Sequence, residues 1–361
     1  MPGLNASSNF VVIQHDSPGE FLSAAYPTMR RYEASANIVL AHALKRVTTE
    51  AAMAGYQFMC DADVEDWLSR ADDSSMIPHL TSSAFWLTLW SRPSPNSPYS
   101  LDIVLSCIDW TLGEYPIFLW TPHTDKAASL AWTEPRIDQM ALHLHDCLNP
   151  ERVFSVFGLT PLVKVFSKYW TSITGNAIEP EPFYSAYFSY CNTTTFRPCK
   201  AVLPDGHRLR RASIEDLEQV AQLCKEFADD SIFFPLTLDK AKIEARELIS
   251  KRQIWVYDAQ GDISTICAVT RNTHRVSAVT KVYTTPRWRR NGCAEVLVRD
   301  VTARLLFDCG RDNVVLYVGH ENCAQKVYDR VGFVGLCGKD KPAGVEDSLE
   351  LGFQGTKRGH W

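Results

Sequence analysis

The run Val282-Tyr283-Thr284-Thr285-Pro286-Arg287-Trp288-Arg289-Arg290-Asn291-Gly292-Cys293-Ala294-Glu295-Val296-Leu297-Val298 constrains this chain most. A β-branched, apolar stretch ends at Thr-Thr-Pro, a basic loop with one glycine follows, and apolar residues at helical spacing begin at once. Strand, loop and helix in such close succession belong to an α/β layer. The first N–H groups of such a helix are unpaired and carry the positive end of its dipole. With Arg289 and Arg290 beside them, they make an anion site well suited to a pyrophosphate.

At 361 residues, two domains are expected. A hydrophobic share of 45% with 22% charged residues fits a soluble globular chain. A net charge of −5 with no clustered basic patch argues against a nucleic-acid partner. The 11 cysteines stand singly, with no C-x-x-C pair. That pattern predicts reduced thiols in a cytoplasmic compartment and no zinc site. His143 and His145 lie two apart on a predicted helix and cannot share an ion, so no metal is expected. Without a secretory leader pattern or a run of roughly 20 apolar residues, no membrane association is expected.

The N-terminal half begins with a loose tail over 1–9 and a strand over Phe10–Ile13. Ser17 is placed to cap a helix with Pro18 at its first position, and Pro27 is expected to break or restart it. A second helix is expected from Arg31 to about Met53, followed by mixed helix and loop over 60–83. Strands are predicted at 84–90, 100–107, 115–120 and 153–158, with a loop at Arg92–Pro98. Helices are predicted at 134–148 and 161–174, and a strand at 183–191. The many Trp and Tyr residues of this half are expected in the core.

Prolines, a glycine and mixed charge place a linker over 196–206, between domains 1–195 and 207–361. A second α/β order follows. It has a strand at 207–211, a helix started by Ser213 and its acidic neighbours, a helix capped by Thr237, and strands at 253–257, 263–271 and 275–284. After the basic loop come a helix face ending near Gly310, the nearly all-apolar strand Asn313–Val318, and a short helix over Asn322–Gly332. Strands at Phe333–Leu336 and Ser348–Phe353 and a polar tail over 354–361 close the chain.

Two motifs in this second order, Arg289-x-x-Gly292-x-Ala294 and Asn322-x-Ala324-x-x-x-Tyr328-x-x-x-Gly332-Phe333, resemble the GNAT superfamily of acyl-CoA-dependent N-acyltransferases. The N-terminal half, with Glu33-Ala34-x-x-Asn37-Ile38-Val39-Leu40, resembles a second, degenerate copy. Its Gly158 stands alone after its strand, so no coenzyme A site is expected there. The resemblance implies an α/β (α+β) fold of two GNAT-like domains, each a mixed, mostly antiparallel sheet flanked by helices.

It also implies roles. Main-chain groups of Val282, Tyr283 and Thr284 would pair with the pantetheine arm of acetyl-CoA or another acyl-CoA. N–H groups of Arg290, Asn291, Gly292, Cys293 and Ala294 would bind its pyrophosphate, aided by Arg289, and Asn322 would contact the arm. Tyr328 would be the general acid that protonates the departing thiolate. Tyr328 as a plain core tyrosine and Cys293 as a nucleophile are the competing readings. The strand Arg275–Val282 carries no acid, so the general base is open among Glu226, Asp229, Asp230, His320 and Glu321. The expected reaction is acyl transfer to a small-molecule amine or amino-acid-like acceptor rather than to a protein, by a monomer or homodimer. A non-catalytic acyl-CoA-binding or interaction module is the alternative.

Overall fold

The structure, a computed structural model, describes residues 10–58, 61–70, 84–199, 202–231 and 233–360. The tail expected over 1–9 and, of the mixed helix and loop expected over 60–83, residues 60 and 71–83 lie outside them. The chain forms two compact units, Met1–Ser185 with Asp347–Trp361, and Ala186–Glu346.

The first unit opens with β1 (Phe10–His15), α1 (Pro18–Arg31), α2 (Asn37–Met53) and α3 (Asp61–Arg70). Then come β2 (Phe85–Ser91), β3 (Ser100–Cys107), a small hairpin of β4 (Asp109–Trp110) and β5 (Gly113–Glu114), and β6 (Ile117–Trp120). The helices α4 (Thr124–Ala127) and α5 (Leu130–Cys147), the strand β7 (Ser155–Leu159) and the helix α6 (Thr160–Thr174) complete the run. Ser17 caps α1 as expected, accepting from the Glu20 N–H at 3.1 Å. Pro27 does not break α1. Phe21, Leu22, Ala25, Tyr26 and Met29 are buried along that helix, and this packing outweighs the one hydrogen bond that a proline removes.

The second unit contains most of β8 (Tyr184–Cys191), then β9 (His207–Arg211), α7 (Leu217–Asp229), α8 (Leu238–Ser250), β10 (Ile254–Ala259), β11 (Asp262–Asn272) and β12 (Val276–Thr284). α9 (Cys293–Ala303), β13 (Asn313–Gly319) and α10 (Gln325–Val331) follow. Ser213 and Asp216 form a reciprocal capping box ahead of α7. The last strand, β14 (Glu346–Gly352), pairs with β7 and so belongs to the first unit.

Each unit is a mixed, mostly antiparallel sheet flanked by helices. The strand orders are β1-β2-β3-β6-β7-β14 and β9-β10-β11-β12-β13-β8. In each, only the fourth and fifth strands are parallel, β6 with β7 and β12 with β13, joined by a crossover helix. The two units therefore repeat one topology. The sixth strand of each is supplied by the segment that follows the other unit in sequence. This exchange is why the units do not divide at the expected 196–206 linker. Composition marks a linker locally, whereas sheet membership is set by pairing between distant residues.

One further expectation at the C-terminus changes. No strand forms at Phe333–Leu336, where Gly332, Gly335, Cys337 and Gly338 all have positive φ, a conformation extended backbone cannot keep. The polar tail over 354–360 is tied back at its end, with the His360 N–H donating to Glu114 O at 2.8 Å.

Candidate functional site

β12 and β13 pair only at Val276–Asn313, Ser277–Val314 and Ala278–Val315. β12 then continues to Thr284 and β13 to Gly319, so the strands part and the β12 edge from Val279 onward has lost its parallel neighbour. A register shift accompanies the parting: Val279 faces Val269, but Lys281 faces Ala268. The extra residue, Thr280, accepts from Thr270 Oγ1 at 3.0 Å. Such a bulge bends its strand away from the ladder.

The corresponding pair in the first unit stays closed. Ile117–Leu119 pair with Val156–Gly158, and a Cβ on Gly158 would stand 2.6 Å from Leu119 O. Gly158 serves close strand packing, not a loop.

At the end of β12 a short 3₁₀ turn, Pro286–Trp288, is pinned by Trp288 Nε1 donating to Asp262 Oδ2 at 2.6 Å. The backbone then passes through Arg290 at φ 67° and Gly292 at φ 76°, both left-handed. Gly292 is the N-cap of α9, and the first N–H of that helix to reach back is that of Val296, to Gly292 O at 3.1 Å. The N–H groups just before it have no partner within the helix, and the loop from Arg289 to Gly292 is exposed. A Cβ on Gly292 would meet nothing within 4 Å, so glycine is needed there for its φ rather than for space among protein atoms. Cys293 is buried, and burial pushes its thiol pKa up, which disfavours the thiolate a nucleophile would need.

Arg289 folds back along the loop, donating to Thr284 O and to the Tyr283 hydroxyl, each at 3.1 Å, and lying 3.7 Å from Asp230. The Tyr283 pKa is raised, first by burial and then by the nearby Glu226 carboxylate. Of the five base candidates, Glu226 and Asp230 come to this corner. Glu226 Oε1 accepts from Gln222 Nε2 at 3.0 Å. Asp229 is tied to Lys225, His320 lies against the Tyr187 ring at 4.2 Å, and Glu321 is exposed.

Asn322 Oδ1 accepts from the Ala324 N–H at 2.8 Å and so shapes the turn into α10. Tyr328, 7% exposed on α10, packs edge-on against Phe333. It shares one core cluster with Cys293, Leu316 and Val318, with Val282 packed against that cluster. The loop helix, both parting strands and the tyrosine thus meet in one core. Gly332 ends α10 at φ 118°, and a Cβ there would lie 2.2 Å from Thr195 O.

Sequence reasoning missed one group. The strand has no acid of its own, but Glu244 reaches it from α8. Lys281 Nζ donates to both Glu244 oxygens, at 2.8 and 2.7 Å. A lone lysine in an otherwise uncharged strand was the available signal; its partner came from another element and left none.

Among the described residues, no three His, Cys, Asp or Glu side chains are grouped to hold a metal ion. No described helix is long and apolar enough to cross a membrane.

A mixed sheet whose parallel pair parts beside a left-handed loop at a helix start is thus the local architecture of this α/β unit. Residues 225–345, about a third of the chain, match the family model described as an acetyltransferase (GNAT) domain. Three solved structures are similar. A Drosophila protein shares 13% identity at a TM-score of 0.50, covering 80% of this chain and 86% of its own. A GCN5-related N-acetyltransferase from Sphaerobacter thermophilus shares 13% identity at a TM-score of 0.48, covering 98% and 97%. A tandem GNAT protein from the clavulanic acid biosynthesis pathway shares 10% identity at a TM-score of 0.47, covering 97% and 100%. No curated protein matches the sequence.

Proposed function

We propose that the second unit transfers an acyl group, acetyl in the first instance, from acyl-CoA to the amine of a small or amino-acid-like acceptor. One observation carries this reading. A strand that has lost its parallel partner runs into a left-handed loop at an exposed helix start, with Tyr328 in the core beneath. Main-chain groups of Val282, Tyr283 and Thr284 hold the pantetheine arm, as a missing strand would. The N–H groups from Arg290 to Ala294 hold the pyrophosphate, with Arg289 turning from Asp230 toward it and Asn322 beside the arm. The acceptor amine attacks the thioester directly, and positioning supplies much of the rate. Tyr328 protonates the departing thiolate. The first unit binds no donor, a reading supported by its closed β6–β7 pair. The protein works as a monomer or homodimer. Its place is the cytoplasm, a reading supported by the free cysteines among the described residues.

The test is titration calorimetry with acetyl-CoA, followed by thiol release across a panel of primary amines. Binding of one equivalent and turnover of an amine are expected. If no coenzyme A thioester binds, the reading fails. If donor binds and no amine is turned over, the domain is a non-catalytic binding module.

A further inference from the structure

We propose that Lys281 is itself acylated by the donor, its Nζ standing in for an acceptor amine, an inference that rests on the acyl-transfer reading above. Among the described residues it is the one lysine on any strand. It lies on the stretch of β12 beyond the β13 pairing, next to Val282, whose main chain is assigned to the donor arm. Most surface lysines are mobile, and an encounter with a thioester must first order them. Lys281 is already ordered. Its ammonium donates to both oxygens of Glu244 and lies 5.0 Å from the Phe227 ring centre. The Lys281 side chain is only 10% exposed and that of Glu244 17%. Burying such a pair contributes little net stability, because desolvation offsets the attraction. Its place beside the strand edge gives it a chemical use instead.

Glu244 takes a proton from the ammonium. The freed Nζ electron pair adds to the thioester carbonyl carbon. The carbon–sulfur bond breaks, and its electron pair leaves with the sulfur. Of the two protons that depart from Nζ, one passes through Glu244 to solvent and the other ends on the thiol. The products are an amide at Lys281 and free coenzyme A. Burial opposes the Lys281 charge, but the Glu244 carboxylate outweighs it and holds the ammonium above its ordinary pKa. The free amine is therefore scarce, and acylation is slow, once per chain. It removes a cation and leaves Glu244 as an uncompensated carboxylate beside the strand edge, where it would attract a cationic amine.

The experiment incubates the full chain with acetyl-CoA and follows intact mass and tryptic peptides. The expected result is one added acetyl group, on Lys281, with loss of cleavage after that residue. Lys281→Arg keeps the charge and abolishes the gain. Glu244→Gln removes the carboxylate that holds the ammonium charged, so acylation of Lys281 should be faster at neutral pH than in the native chain. Thermal melts check that both variants fold; if Glu244→Gln does not, the native chain and Lys281→Arg decide. If calorimetry shows donor bound while Lys281 stays unmodified, self-acylation is wrong and the acyl-transfer reading stands. If no donor binds, both fall. Equal acylation of Lys281 in heat-unfolded protein would show plain chemical reactivity and overturn the proposal.

Discussion

Ser155 donates its hydroxyl to Glu350 Oε1 at 2.7 Å, joining residues 195 apart in sequence. Glu350 lies on β14, the strand that completes the first unit's sheet, directly opposite Phe157 of β7. It is fully buried, and its Oε2 has no hydrogen-bond partner among the described residues.

That burial makes stability depend on pH. Glu350 is pushed up from 4.5 to about 8 by desolvation, with the Ser155 bond opposing only in part. The folded chain then holds one proton more than the unfolded chain between those values. The protonated acid's stabilising share is fully present below the unfolded pKa and is lost as pH rises to about 8. The loss is on the order of a few kcal/mol. Urea unfolding below and above this window should show the first unit weakening with pH. Glu350→Gln should flatten the dependence; an unchanged slope would assign it to another group.

Removing β14 should strike the first unit, although the segment lies at the far end of the chain. A chain ending at Glu346 leaves β7 as an open edge with unpaired N–H and C=O groups. Amide exchange at 155–159 should accelerate, while 313–319 keeps its protection. Equal loss in both strands would contradict the assignment of β14.

Gly292 and Gly332 should respond differently to alanine. At Gly332 the new Cβ meets the Thr195 carbonyl, and φ is 118°. Main chain must move, so a loss of more than about 2 kcal/mol in thermal or urea unfolding is expected. At Gly292 only the left-handed φ is strained, at a cost of about 1 kcal/mol. There the larger effect should be weaker acetyl-CoA binding, read by calorimetry.

Tyr328→Phe should lower kcat roughly 10- to 100-fold while leaving acetyl-CoA affinity within about twofold, because a thiolate leaves fairly well without an acid. Full activity in the variant would make Tyr328 a core residue only, as its edge-on packing with Phe333 also permits.

Arg289→Ala should weaken acetyl-CoA binding about 3- to 10-fold, a modest effect because the side chain is half exposed. Added salt should shrink the difference between native and variant. If affinity is unchanged, Arg289 serves only the Tyr283 and Asp230 corner.

Much of the second unit was legible because its signals are local. Ser213 and Thr237 cap the helices expected of them, and the apolar run Asn313–Val318 is a strand inside a sheet. The loop is likewise legible, since Arg289, Gly292 and Ala294 lie within six residues of one another. Pro27 misled, because its cost is local whereas the packing that offsets it is not. Phe333–Leu336 misled in the opposite sense: apolar residues suggested a strand, but the glycines beside them took left-handed conformations.

The order of elements, the caps and the glycine-bearing loop before α9 follow from the sequence by itself, since each depends on residues within a few positions of one another. Three matters were decided only by tertiary structure. They are the exchange of β8 and β14, the contrast between the closed β6–β7 pair and the parted β12–β13 pair, and the delivery of Glu244 to Lys281. Each joins residues far apart in the chain, and pairing at such distances is settled by sheet register and burial rather than by local pattern.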